Sequence, residues 1–269
     1  MKKSQACVWL LLLSACSPSL LPGTKNNFIV IAHRGAHTQA PENTLRAFEN
    51  AIALGVDYVE VDVRTSSDSV LLVMHDSAVD RMTDGSGLLD TMSSRELDTL
   101  HVYTKEHPEY GRHPIPRLAD VLALCKNKVK IYLDFKDADV SATIDIFKKY
   151  QMIESMVVYI NDEDQYKSWR RLAPQVPLIV SLPDSVTSSN TLSHFLDKVD
   201  AEILDGHFSR YTPAMVKVAS KRGRIIWADI QQKNENSELW EQAIKTRLHG
   251  LQTDNPLSLI QYLKSKGLR

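Results

Sequence analysis

Short apolar runs alternate with amphipathic segments along almost the whole chain, and this alternation restricts the fold more than any other feature. The runs are FIVIA (28–32), VDYVEVDV (56–63), VLLVM (70–74), VKIYLDF (129–135), MVVYI (156–160), PLIVSL (177–182), AEILD (201–205), RIIWADI (224–230) and HGLQT (249–253). Helical periodicity fills the gaps. Residues 44–54 carry Leu45, Phe48 and Ile52 on one stripe and stop at Gly55, and 118–126, 142–150, 163–172, 191–199, 213–222, 237–246 and 256–266 behave alike. Pro213 and Pro256 suit first helical turns. Such alternation implies a parallel sheet wrapped by helices. Eight units close into a (β/α)8 TIM barrel of about 250 residues. A doubly wound open sheet competes with it, but no nucleotide-type glycine fingerprint follows the first run.

The runs exceed a barrel's requirement by one, and one junction accounts for the excess. Only TSSDS separates Arg64 from Val70, whereas parallel neighbours need a crossover of about a dozen residues. Residues 56–64 and 70–75 should therefore form an antiparallel hairpin that makes the barrel irregular. A turn centred between Ser67 and Asp68 pairs residues whose numbers sum to 135, placing Glu60 opposite His75 and Asp62 opposite Val73. The stretch 77–116 lacks clean periodicity and is rich in Thr, Ser, Asp, His and Pro. It reads as a small helical insertion over the barrel top after the third strand, within a single domain spanning 28–269.

The N-terminus belongs to another category. Met1-Lys2-Lys3 is a basic start, and Val8 to Leu13 is an apolar run too short to cross a bilayer. Together they read as a secretory signal over 1–15. The segment Leu13-Ser14-Ala15-Cys16 resembles the bacterial lipoprotein box, which implies cleavage before Cys16 and lipidation of its thiol. Residues 16–27 then form a tether. The expectation is an exported, lipid-anchored protein of the cell envelope. No Asp follows Cys16 directly, which by analogy with enteric sorting favours the outer membrane, with the periplasmic side as the alternative. Cys125 is the thiol left over, so no intramolecular disulfide is expected. The net charge of −1 excludes a general nucleic-acid footprint, and no protein partner is implied.

Candidate chemistry concentrates at the ends of the runs. Glu60 and Asp62 lie two apart in YVEVDVR and share a strand face, as do Asp134 and Lys136 in LDFK. Converging buried carboxylates repel one another and are costly to desolvate. A divalent cation such as Ca2+ or Mg2+ removes both penalties, since hard oxygen ligands suit it. Separate ion pairs with Arg34, Arg64 or Lys136 are the alternative. Of nine histidines, His33 and His75 end strands. His37, His101, His107 and His113 read as solvated loop residues, His194 as helix surface, and His207 as a minor candidate. Two histidines, a cation between carboxylates, and Arg34 with Lys136 for phosphate oxygens define phosphoryl-transfer chemistry.

The ordered set HRG (33–35), PENT (41–44), GVDYVEVDV (55–63), MHD (74–76), LDFK (133–136), IIWADI (225–230) and LQTDNP (251–256) resembles the glycerophosphodiester phosphodiesterase family over nearly the whole mature chain. That resemblance implies a barrel with an insertion after the HD strand. It implies His33 and His75 as acid and base, Glu60, Asp62 and Asp134 as metal ligands, and Arg34 and Lys136 as phosphate-binding residues. It also implies Trp227 lining the alcohol or glycerol pocket, with Glu42 supporting the site from behind. The implied reaction is attack of a substrate hydroxyl on phosphorus, loss of an alcohol, and opening of the cyclic phosphate by water to sn-glycerol 3-phosphate. Asp134 stands where the family usually has Glu, and ADI after Trp227 departs from the commoner Thr-Val-Asn/Asp. Lysophospholipids or sugar phosphodiesters are alternative substrates. A non-catalytic, lipid-anchored binding protein is the alternative from another class.

Overall fold

A computed structural model describes residues 21–23, 26–232 and 234–269. The expected signal segment, Cys16 and most of the expected tether lie outside these residues. The strands are β1 (Ile29–Ala32), β2 (Tyr58–Thr65), β3 (Leu71–Val73), β4 (His101–Val102), β5 (His113–Pro114), β6 (Lys130–Phe135), β7 (Met156–Ile160), β8 (Leu178–Ser181), β9 (Ile203–Asp205), β10 (Ile225–Asp229) and β11 (Gly250–Thr253). The α-helices are α1 (Leu45–Leu54), α2 (Ser94–Leu97), α3 (Leu118–Cys125), α4 (Val140–Lys149), α5 (Glu163–Leu172), α6 (Ser189–Leu196), α7 (Pro213–Lys221), α8 (Ser237–Thr246) and α9 (Pro256–Ser265). The sheet runs β1-β11-β10-β9-β8-β7-β6-β2-β3, and an extra pairing of β1 with β2 closes it. Eight parallel strands thus form a barrel ringed by helices, and β3 is an antiparallel appendage on the C-terminal half of β2.

Local chemistry sets the element boundaries. Thr44 caps α1 by accepting from Ala47 N–H, and Gly55 ends it in the left-handed region at φ 74°. Side chains of Asp139, Asp162, Ser188, Thr212 and Asn236 cap α4 to α8 in the same way. Each barrel strand is buried on both faces. Val59, Val61, Val63, Ile131, Leu133 and Phe135 pack outward against helices. Ile29, Ile31, Tyr58, Tyr132, Val157, Ile179, Ile203 and Trp227 fill the bore, as the interior of an eight-stranded barrel requires.

The hairpin register differs from the sequence expectation by one residue. Val63 pairs with Val73, Arg64 with Leu72 and Thr65 with Leu71. Consequently Val61, not Glu60, stands level with His75, and the ladder ends before His75 is reached. The turn is the cause. Ser66 N–H donates to Val70 O, Ser69 N–H donates to Ser66 O, and Ser69 takes φ 65°. A three-residue loop closed by a left-handed residue replaces the two-residue turn that the arithmetic assumed.

Residues 77–116 have little helix: α2 is a single turn, and β4 and β5 hold two residues each. Their own apolar cluster, including Leu72, Val79, Leu89, Leu97 and Ile115, holds them together. Asp68, in the hairpin turn, accepts from Ser94 N–H at 2.8 Å and from Ser94 Oγ–H at 2.7 Å, fastening this excursion to the barrel.

Candidate active site

Inward-facing residues at the C-terminal strand ends line one mouth of the barrel, the face where loops are free to carry chemistry. Strand β2 contributes Glu60 and Asp62, and β6 contributes Asp134, level with Asp62 in the parallel register. Ligand atoms of these three carboxylates all lie within 4.8 Å of one another. Glu60 is 1% exposed and Asp62 is fully buried.

Two strained loop residues orient this cluster. Arg34 and Asn43 take φ 51° and 55°, a left-handed backbone costing non-glycine residues about 1 kcal/mol or more. At that angle Arg34 N–H donates to Glu60 Oε2 at 2.6 Å. Asn43 Nδ2 donates to Asp62 Oδ2 at 2.7 Å. Gly35 (φ 83°) completes the turn, and a Cβ there would lie 2.8 Å from Ala47 Cβ. Sequence reasoning took Glu42 from PENT and passed over Asn43, whose signal was a residue type tolerant of left-handed backbone.

Charges around the carboxylates are unequally shared. Lys136 Nζ lies 2.6 Å from Asp134 Oδ2 and 3.0 Å from Asp62 Oδ1, and Arg34 Nε lies 3.5 Å from Asp62 Oδ2. Burial pushes Asp62 upward, but Lys136, Arg34 and His75 outweigh it and hold the carboxyl below the usual range. Glu60 forms no ion pair with Lys or Arg among the described residues. Burial, then Asp62 and Asp134, push its carboxyl well above the usual range. Asp62 Oδ1 is buried without a well-directed hydrogen bond. A buried carboxylate without an ion-pair partner, with ligand atoms of two further carboxylates within 4.8 Å, fits a divalent cation held by hard oxygen ligands. Simple pairing with Arg34 and Lys136 accounts for Asp62 and Asp134 but not for Glu60.

The histidines sit on either side. His33 Nδ1 lies 2.7 Å from Asp254 Oδ1, and His37 Nε2 lies 3.0 Å from the same oxygen. Burial pushes Asp254 up, but hydrogen bonds from His33 and His37 hold it far below the usual carboxylate range. His37 is therefore not a solvated loop residue: the turn after β1 folds it back beside His33. His75 Nδ1 lies 2.6 Å from Asp76 Oδ1, and its backbone O accepts from Arg64 Nε and Nη2 at 2.9 and 2.7 Å. Arg64 pairs with Asp137 rather than with the buried carboxylates. Arg81 hydrogen-bonds Asp76 and holds its carboxyl down to about 2. Arg81 Nη2 also donates to Glu42 Oε1 at 2.7 Å, and Glu42 Oε1 accepts from Arg34 Nη1 at 2.9 Å. A continuous polar chain thus runs Arg34–Glu42–Arg81–Asp76–His75.

Trp227 does not line the mouth. Its ring meets Tyr58 across the bore at 4.8 Å, in the packed layer beneath the site. Gly250 on the neighbouring strand makes room, since a Cβ there would lie 2.9 Å from Trp227 Cδ1. Asp229, two residues further along β10, occupies the mouth instead, beside Asp205 of β9. His207 is exposed above this pair, with Nδ1 2.8 Å from Ser209 Oγ.

A closed barrel whose mouth gathers three carboxylates, the cationic Arg34 and Lys136, and two carboxylate-held histidines suits a phosphoric diester hydrolase. The chain belongs to the Glycerophosphoryl diester phosphodiesterase family, whose profile matches residues 33–258. It is 26% identical over 246 residues to a glycerophosphodiester phosphodiesterase from Caldanaerobacter subterraneus subsp. tengcongensis, covering 89% of this chain and 99% of that one. It is 37% identical over 125 residues to glycerophosphodiester phosphodiesterase 1 of Bos taurus, covering 45% of this chain and 38% of the bovine one. The fold matches the crystal structure of a glycerophosphodiester phosphodiesterase from Agrobacterium tumefaciens with a TM-score of 0.79 at 24% identity, over 87% of this chain and 99% of that one. It also matches an Oleispira antarctica phosphodiesterase in complex with the product sn-glycerol-3-phosphate, at TM-score 0.77 and 23% identity, over 88% and 96% of the two chains.

Proposed function

We infer that this chain hydrolyses glycerophosphodiesters to sn-glycerol 3-phosphate and an alcohol. The observation that carries this reading is the convergence of Glu60, Asp62 and Asp134 with Arg34 and Lys136 between His33 and His75. Family membership and the product carried by the Oleispira relative support it. Glu60, Asp62 and Asp134 would hold a divalent cation, Ca2+ or Mg2+. When bound, the cation supplies Lewis-acid polarisation of phosphate oxygens.

Arg34, braced by Glu42, and Lys136 hold the remaining phosphate charge. Asp254 fixes the Nδ1–H of His33 and Asp76 that of His75, leaving each Nε2 free to accept or deliver a proton. One imidazole takes the proton of the attacking hydroxyl, and the other protonates the leaving alcohol. A water then opens the cyclic phosphate, with the two roles reversed. Release of phosphomonoester from glycerophosphocholine and glycerophosphoethanolamine, with and without chelator, tests the reading. Turnover indifferent to chelation and to both His33→Ala and His75→Ala would sink it.

Anchoring at Cys16 and an envelope location complete the reading, supported by the basic start, the apolar run and LSAC in the sequence. Palmitate labelling that persists in Cys16→Ser would rule out this anchor.

A further inference from the structure

The wall of the mouth facing the metal carboxylates is built in an unusual way. Counting round the closed barrel, β9 stands four strands from β2, and β10 four strands from β6. These strands end in Asp205 and Asp229, diametrically across the bore from Glu60, Asp62 and Asp134. Asp205 is 4% exposed. Its Oδ2 accepts from Tyr132 Oη–H at 2.9 Å. Its Oδ1 is buried without a well-directed protein hydrogen bond.

Asp229 stands beside Asp205 on the adjacent strand, and Gln231 Nε2 donates to Asp229 Oδ1 at 3.2 Å. Lys136 bridges Asp62 and Asp134, but no Lys or Arg among the described residues pairs with Asp205 or Asp229. The nearby Arg210 is committed to the carbonyls of Leu182 and Pro183 at 2.7 and 2.6 Å. Tyr159 Oη and Ser181 Oγ, 2.9 Å apart, extend the polar wall, and Ser181 stands level with Asp205.

The two walls thus ask for opposite charges. Arg34 and Lys136 receive the phosphate. The far wall offers an acidic pair without a Lys or Arg partner among the described residues and a buried carboxylate oxygen without a well-directed donor. A quaternary ammonium brings charge but no N–H for Asp205 Oδ1. A neutral polyol brings donors but no charge. A primary ammonium brings both, and charge-assisted hydrogen bonds are the stronger kind. We propose that Asp205 and Asp229 form a subsite for a primary ammonium group on the alcohol arm of the diester. This rests on the phosphodiesterase reading above, since phosphate must occupy the opposite wall.

The test compares three diesters that differ only in the alcohol: glycerophosphoethanolamine, glycerophosphocholine and glycerophosphoglycerol. The wild type should favour the first over the other two in kcat/KM. In Asp229→Asn and Asp205→Asn that preference should fall about tenfold, the size of one charge-assisted hydrogen bond. Equal losses on all three diesters, or a preference that does not move, would overturn the subsite. Calorimetric Kd values for the same diesters, on wild type and Asp229→Asn without turnover, read the same preference independently of catalysis. A wild type that turns over none of the three overturns the phosphodiesterase reading. An unmoved ratio of Kd values overturns the ammonium subsite alone. Circular dichroism confirms that each variant is folded, and should Asp205→Asn fail to fold, Asp229→Asn carries the test.

Discussion

His33 Nδ1 and Asp254 Oδ1 lie 2.7 Å apart, a hydrogen bond that joins the end of the first barrel strand to the loop after the last. Asp254 accepts a second imidazole, His37, on the same oxygen. A carboxylate in this position fixes the tautomer and the ring plane of His33 without touching substrate. Asp254→Asn should therefore lower kcat by about 10²-fold, within the range of a misplaced general acid or base, with little change in KM. Loss of His37 should cost less, roughly tenfold at most, since Asp254 keeps its bond to His33. Steady-state kinetics on a glycerophosphodiester would show it. A loss confined to KM would count against the orienting role.

On the proposed reading, Ca2+ or Mg2+ at Glu60, Asp62 and Asp134 would relieve their mutual repulsion, so either ion should raise thermal stability. At a hundredfold excess over Kd the gain is about 2.7 kcal/mol. For a chain of this size that is a rise in Tm of about 5–10 °C. Differential scanning fluorimetry with and without chelator measures it. Asp62→Asn, which removes a central ligand, should abolish the shift.

Asn43 separates backbone strain from site chemistry. Asn43→Gly accepts the left-handed backbone but removes the hydrogen bond to Asp62, whereas Asn43→Ala removes that bond and also strains the left-handed backbone. Both variants should lose kcat/KM, by about tenfold. Asn43→Ala should also melt lower, by about 1 kcal/mol or more. Equal melting of the two variants would show that the backbone angle carries no strain.

Gly250 is the seat of Trp227. A methyl group there meets Ile29 Cβ at 2.7 Å and Trp227 Cδ1 at 2.9 Å, within the rigid bore. Gly250→Ala should destabilise the fold by about 1–3 kcal/mol. Urea denaturation reads this directly, and an unchanged midpoint would mean that the bore can dilate.

Burial holds the His249 imidazole below its usual range, and its Nδ1 accepts from Ile226 N–H at 3.0 Å. The folded pKa is thus lower than the unfolded value of about 6.5. The associated stability is fully present above about pH 6.5 and is lost as pH falls through the depressed folded value. His249→Gln, which cannot titrate, should lose less stability than the wild type between about pH 7.5 and about pH 5.5. Parallel slopes for the two proteins would sink this linkage.

The alternation of apolar runs and amphipathic helices determined the barrel, because period 2 and period 3.6 patterns with short connections leave few other ways to bury them. The short TSSDS link determined that β2 and β3 are antiparallel. Period 2 likewise put Glu60 and Asp62 on one face, and Asp134 and Lys136 on another strand's matching face. Sequence spacing could not settle what depends on closure. The hairpin register turned on Ser69 entering left-handed backbone, which shifted His75 by one position. Trp227 packs in the bore because Gly250 on the neighbouring strand leaves space for an indole beside it, a cross-strand contact that sequence spacing does not reveal. Asp254 and His37 meet His33 because barrel closure makes neighbours of the first and last strands, far apart in the chain. Residue type and local period specify which side chains face inward, while the circular order of strands decides which of them touch.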